Sequence, residues 1–333
     1  MVRKDQVAQL FEQVVAGDRS ALGRAITLVE STRPQDRAVV GDLLERCAAI
    51  SRDSLRIGIT GIPGVGKSTL IDALGMDLIT SGHRVAVLAV DPSSALSGGS
   101  ILGDKTRMTR LAHEDAAYIR PSPTGGSLGG VARRTREAIA LCEAAGHDRI
   151  LVETVGVGQS ELDVERMTDL TLLLMITGAG DELQGIKRGI MEAADVIVIT
   201  KVDDQARERA EQARRDLRNA IHLLPLRPNG RHPEVLLTNA LTGEGIDGLA
   251  RHIAERCTAD REAGGLEAQR RMQDVHWLRK AIETGLVERF NADPLAGPAM
   301  EEAEARVRSG VASPFRAAEE LLDRFRTGDA PLP

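Results

Sequence analysis

Nine consecutive residues, Gly61-Ile62-Pro63-Gly64-Val65-Gly66-Lys67-Ser68-Thr69, have the types and spacing of a loop that holds phosphate. Glycines let backbone amides turn inward around anionic oxygens. Lys67 is placed to reach the β- and γ-phosphates of a nucleoside triphosphate, and the Ser68 hydroxyl suits Mg²⁺. The candidate nucleotide contacts here are Gly61, Gly64, Val65, Gly66, Lys67, Ser68 and Thr69. An apolar run, Leu55 to Ile59, leads into the loop, and a helical pattern, Thr69 to Ile79, leaves it. That context aims a helix N-terminus at the anion. The expected chemistry is binding and hydrolysis of a nucleoside triphosphate.

Two acids end apolar strands. Asp91 closes Val87-Leu88-Ala89-Val90-Asp91, and Glu153 closes Ile150-Leu151-Val152-Glu153. Carboxylates at strand ends beside such a loop point at its metal. Glu153 and Gly156 form an acid-x-x-Gly pattern, in which the glycine amide can donate to the γ-phosphate and release when it leaves. The stretch Ser97 to Arg107, rich in Gly, Ser and charge, suits a loop that orders over the nucleotide, and its Asp104 is a further Mg²⁺ candidate. The expected metal residues are Ser68, Asp91, Asp104 and Glu153.

Base recognition is expected after a third strand, in Thr200-Lys201-Val202-Asp203. An Asp accepts two hydrogen bonds from guanine N1–H and its 2-amino group, a pair adenine lacks. Lys201 can lay its aliphatic stem on the base plane. Guanine sites often carry Asn where Thr200 stands. In Thr238-Asn239-Ala240-Leu241, a backbone amide is expected to meet guanine O6, with Asn239 where Ser is more usual.

The elements needed to hold these residues are visible. Candidate strands are Leu55–Thr60, Arg84–Val90, Ala116–Ile119, Arg149–Val152, Leu170–Ile176, Asp195–Thr200 and Glu234–Thr238. Most are continuously apolar, as strands buried on both faces are. Helical patterns between them, such as Gly130–Ala145 and Gln205–Ala220, give a three-layer, doubly wound, mainly parallel α/β fold. Helical stripes flank it, with Asp18 and Ser31 punctuating the N-terminal ones. The expected division is 1–53 helical extension, 54–256 nucleotide-binding domain and 257–333 C-terminal helices.

The chain has 333 residues and a net charge of −6, which argues against nucleic acid as its main partner. Aromatics are 2%, so Leu, Ile, Val, Ala and Met must build the core. Cys47, Cys142 and Cys257 lie far apart and read as small buried hydrophobes. No apolar run is long enough to cross a bilayer, and the N-terminus has no signal-peptide core, which suggests a cytoplasmic protein. Arg133, Arg134 and Arg136 read as a solvated helix face, and Trp277 as core or a dimer contact.

Taken together, the chain resembles the MeaB/ArgK-type P-loop GTPases of the SIMIBI class, the methylmalonic aciduria type A-like family. The resemblance is carried by GIPGVGKSTLIDALG (61–75), DPSSALSGGSILGDKTRM (91–108), RPSPTGGSLGGVARRTREA (120–138), ILVETVGVGQSE (150–161), TGAGDELQGIKRGIMEAADVIVITKVD (177–203) and LTGEGI (241–246), across roughly residues 20–290. It implies a GTP-driven chaperone for an adenosylcobalamin-dependent acyl-CoA mutase, gating cofactor delivery and ejecting damaged cobalamin. It also implies slow intrinsic hydrolysis raised by the mutase, and homodimerisation through the C-terminal helices. Lys67, Glu153 and Lys187 are the implied catalytic groups, and 178–187 matches a switch that couples nucleotide to partner. Gln159 is either a water-positioning residue or a solvated one. The alternatives are an ATP-dependent kinase of the arginine/ornithine transport type and a non-catalytic nucleotide-gated scaffold.

Overall fold

A computed structural model describes residues 2–31, 33–50, 52–91, 108–123, 128–154, 164–177, 188–227, 230–294 and 296–327. Packing divides the chain into two units, Met1–Asp274 and Val275–Pro333. The expected limit at 256/257 falls inside one helix, Ile246–Glu262, and the N-terminal helices share a unit with the sheet.

The first unit is built on a seven-stranded sheet: β1 (Leu55–Gly61), β2 (Val85–Asp91), β3 (Ala117–Pro123), β4 (Arg149–Thr154), β5 (Leu170–Ile176), β6 (Val196–Thr200) and β7 (Glu234–Leu237). The order is β3-β2-β4-β1-β5-β6-β7, and every pairing is parallel. The apolar runs explain this: all seven residues of β1 and all five of β6 are buried, so both faces need helical cover. The expected strands are all present. β3 runs four residues past its expected end, through Pro121 and Pro123. It is an edge strand, where a missing N–H breaks no ladder.

Asp18 caps the helix Arg19–Val29 by accepting the amides of Ser20 and Ala21. Ser31 does not cap the third helix; its hydroxyl donates to Asp36, the residue before that helix, at 2.7 Å. These helices pack against Leu128–Ala144, and Glu30 pairs with Arg120 of β3. Arg136 departs from the solvated reading: its side chain is largely buried and pairs with Asp274 at 2.9 Å. All three cysteines are buried, and burial pushes the Cys47 thiol up to about 11 and that of Cys257 up to about 12.

At the amino edge of the sheet, buried Asp169 accepts the Arg56 amide of β1 and a two-point contact from Arg270. Arg56 in turn donates two bonds to Glu143. Burial opposes ionisation of Glu143, but the Arg56 guanidinium and the Ser54 hydroxyl hold its carboxyl below the usual range. The buried charges of this edge are therefore matched by hydrogen-bonded partners.

In the second unit, the helices Ala296–Arg308 and Pro314–Thr327 pair, linked by Arg306–Glu320 and Arg324–Glu302. Trp277 is buried. Val275, Leu278, Ile282, Leu286 and Val287 of the helix Gly265–Ala292 are at least half exposed.

A candidate guanine-nucleotide site at the carboxyl ends of the strands

Central β1 delivers its C-terminus straight into the phosphate loop. Gly61, Gly64 and Gly66 have φ of 150°, 77° and 105°. At Gly61 the need is steric as well, since a Cβ there would lie 2.7 Å from the Leu174 carbonyl oxygen of β5. The helix Lys67–Thr80 then begins directly at the loop, pointing its free amides into it. Lys67 Nζ donates to the carbonyls of Gly61 (2.8 Å) and Ile62 (3.1 Å), so the ammonium is buried against the loop it serves.

Glu153 stands level with Ile59 of β1 and Ala89 of β2, near the end of β4. The Ser68 hydroxyl donates to Glu153 Oε1 at 3.1 Å. A hydroxyl and a buried carboxylate converging beside the phosphate loop are the hard oxygen donors that Mg²⁺ prefers. Asp91 is the last residue of β2, the strand next to β4. Asp104, Gly156, Gln159, Lys187 and the 178–187 switch lie outside the described residues.

Asp72 was missed at the sequence level. It lies in the helix after the phosphate loop, buried, and accepts the Leu111 amide at 2.9 Å and Arg110 Nε at 2.9 Å. It thereby pins the chain just after the Ser97–Arg107 stretch to the phosphate-loop helix. Its signal was present: an acid between Ile71 and Ala73 on an otherwise apolar helix.

The base-reading residues converge on the same loop from β6. The Thr200 hydroxyl lies 2.7 Å from the Val65 carbonyl and 3.2 Å from that of Met175. Lys201 lies across the loop, with Nζ donating to the Gly64 carbonyl at 2.7 Å. It has a left-handed backbone, φ 58°, which no other described non-glycine residue shares. Asp203 is exposed, with Oδ1 accepting the Ala206 amide. Asn239 donates from Nδ2 to the Val202 carbonyl at 3.0 Å, and its Oδ1 accepts the amides of Leu241 (3.0 Å) and Thr242 (3.3 Å). The turn holding Ala240 and Leu241 is thus fastened to the loop holding Lys201 and Asp203. A Cβ at Gly245 would lie 2.4 Å from the Leu237 carbonyl, which explains that glycine of the same turn.

A central parallel strand, a phosphate loop with its lysine seated, an acid facing the loop serine, and a Lys-x-Asp loop bonded to the phosphate loop define a P-loop GTPase. The chain matches the family described as "Methylmalonyl Co-A mutase-associated GTPase MeaB" over residues 22–295, and it belongs to that family. It is 50% identical to a probable GTPase of Mycobacterium tuberculosis, covering 96% of this chain and 95% of that one. It is 45% identical to the mouse "Methylmalonic aciduria type A homolog, mitochondrial", covering 96% of this chain and 80% of the relative. A solved structure titled "LAO/AO transport system kinase" is 37% identical, with a TM-score of 0.74 over 97% of this chain and 98% of that one.

Proposed function

We propose that the chain is a guanine-nucleotide-driven chaperone of an adenosylcobalamin-dependent acyl-CoA mutase, methylmalonyl-CoA mutase or a relative. The family description, which names a mutase-associated GTPase, carries the partner. The Lys201–Gly64 bond, which joins the base-reading loop to the phosphate loop, carries the nucleotide.

Phosphoryl transfer needs positioning and charge neutralisation more than covalent help. In this reading the glycine loop from Gly61 to Gly66 and the amides of Lys67, Ser68 and Thr69 seat the phosphates. The Lys67 ammonium draws charge from the β–γ bridge. Bound Mg²⁺ would neutralise the same oxygens, held by Ser68 and Glu153, with Asp91 and Asp104 completing its surroundings. Asp203 reads the guanine edge, Lys201 covers its plane, and the Ala240 amide meets O6. Gly156 senses the γ-phosphate. Lys187 and the 178–187 segment transmit its loss to the mutase, which raises a slow intrinsic rate. The exposed apolar stripe of Leu278, Ile282 and Leu286 supports a homodimer formed through the C-terminal helices. The chain would act in the cytoplasm; among the described residues no helix is long and apolar enough to cross a membrane.

The experiment is GTP and ATP turnover with Mg²⁺, with and without a candidate cobalamin-dependent mutase, beside Lys67→Ala. GTP-selective turnover that rises with the mutase and vanishes in Lys67→Ala supports the reading. Turnover indifferent to every such mutase removes the chaperone role. Preference for ATP removes the guanine assignment and favours the kinase alternative.

A further inference from the structure

Residues 200 and 239 depart from the usual guanine-site pattern in opposite directions. Position 200 has a hydroxyl where an amide is common, and position 239 has an amide where a hydroxyl is common. The geometry points to one exchange: Asn239 supplies the anchor that Thr200 cannot, and the two are a coupled pair of positioning residues for guanine selectivity. This rests on the guanine reading above and adds to it the residues that hold the readers in place.

The strained backbone of Lys201 is the reason an anchor is needed. A non-glycine residue with φ near 58° persists only when its surroundings over-determine it. Both neighbours of Lys201 are fixed. Thr200 is held from one side by its hydroxyl, which has a single proton to give and lies closest to the Val65 carbonyl. Val202 is held from the other side at its carbonyl by Asn239 Nδ2. A serine at 239 has one hydroxyl on a shorter stem. It could not donate to Val202 while accepting two amides of its own turn. Asn239 does both, and its side chain is buried among these partners. The orientation of its amide is fixed, because a backbone carbonyl lies on one side and two N–H groups on the other. By occupying the amides of Leu241 and Thr242, its oxygen leaves that of Ala240 to meet the base. Asn239 therefore sets the direction of Lys201 and Asp203 on one loop and selects the donor on the other, without touching the nucleotide through its side chain.

The test measures GDP and ADP affinity, by displacement of a fluorescent GDP analogue, for the full chain and for Asn239→Ser, Asn239→Asp, Thr200→Asn and the double variant Thr200→Asn/Asn239→Ser. Asn239→Ser is expected to weaken GDP about tenfold and leave ADP unmoved, so that the selectivity ratio falls. Asn239→Asp keeps the turn acceptor, loses the donor to Val202, and should weaken GDP in the same direction. Its near-identical shape keeps the test valid if the serine variant does not fold. The double variant should recover GDP affinity beyond the product of the two single losses, a departure well outside the roughly twofold scatter of independent sites. Unchanged GDP affinity in both Asn239 variants, an equal loss for GDP and ADP, or single losses that multiply would overturn the pairing. A wild-type chain that does not prefer GDP to ADP fails differently: it removes the guanine reading itself.

Discussion

Ser68 and Glu153 come from opposite sides of the phosphate loop, one opening a helix and one near the end of a strand, and their side chains meet at 3.1 Å. With nucleotide bound, both face the same cation. Glu153→Gln keeps the shape and the hydrogen bond but removes the charge. GTP turnover should fall at least about tenfold, and the Mg²⁺ concentration for half-maximal rate should rise. Phosphate release across a Mg²⁺ titration reads both. An unchanged midpoint would separate Glu153 from the metal.

Asp203 is expected to read guanine through two acceptor oxygens on one carboxylate. Asp203→Asn replaces one acceptor with a donor, which suits the 2-oxo group of xanthine. GDP affinity should fall about 100-fold while xanthosine diphosphate gains. Competition binding with both nucleotides decides it, and parallel losses would place the base elsewhere.

Gly58 lies in mid-β1, away from the phosphates. A Cβ there would lie 2.4 Å from Val164 Cγ1 and 2.9 Å from Thr168 Oγ1. Gly58→Ala should therefore destabilise by about 1–3 kcal/mol and lower Tm by several degrees, with GDP affinity per folded molecule retained. Calorimetry with active-site titration separates the two effects.

The sheet and the phosphate site were legible because each rests on a local pattern: an apolar run, a glycine spacing, an acid at a strand end. Glu153 could be placed in this way before its partner was known. Asp72 could not, because a buried acid is explained only by the amide it accepts, and Leu111 is distant in sequence. Arg136 was misread for the same reason, since a helix face reveals nothing of an Asp274 that arrives from another helix. Thr200 and Asn239 were visible as two separate oddities, and only the fold shows Val202 between them. β3 was cut short at its prolines because edge position is a property of the sheet, not of the strand.

His147 is buried against Tyr118, their rings stacked with centroids 5.9 Å apart. Burial, with help from the Arg84 charge and against that of Asp148, lowers its pKa from 6.5 to about 4. Between these values the unfolded chain binds a proton that the folded chain refuses, so stability holds above pH 6.5 and falls as pH drops towards 4. His147→Phe retains the stacking and removes the titration. Its Tm should decline less than that of the wild type over this window in a pH series of thermal melts. Parallel curves would assign the acid sensitivity to other groups.

The position of β1 at the middle of the sheet governs how the protein is born. Leu55 has no neighbour until Arg149 exists, and Ile57 has none on its other side until Leu170 does. While the ribosome works through the intervening stretch, the most apolar strand of the molecule and the phosphate loop behind it have nowhere to dock. Pairings this distant in sequence close late and slowly. The nascent chain therefore carries a long-lived sticky segment, and productive yield in the cell should depend on chaperone capacity and synthesis rate more than on the stability of the finished fold.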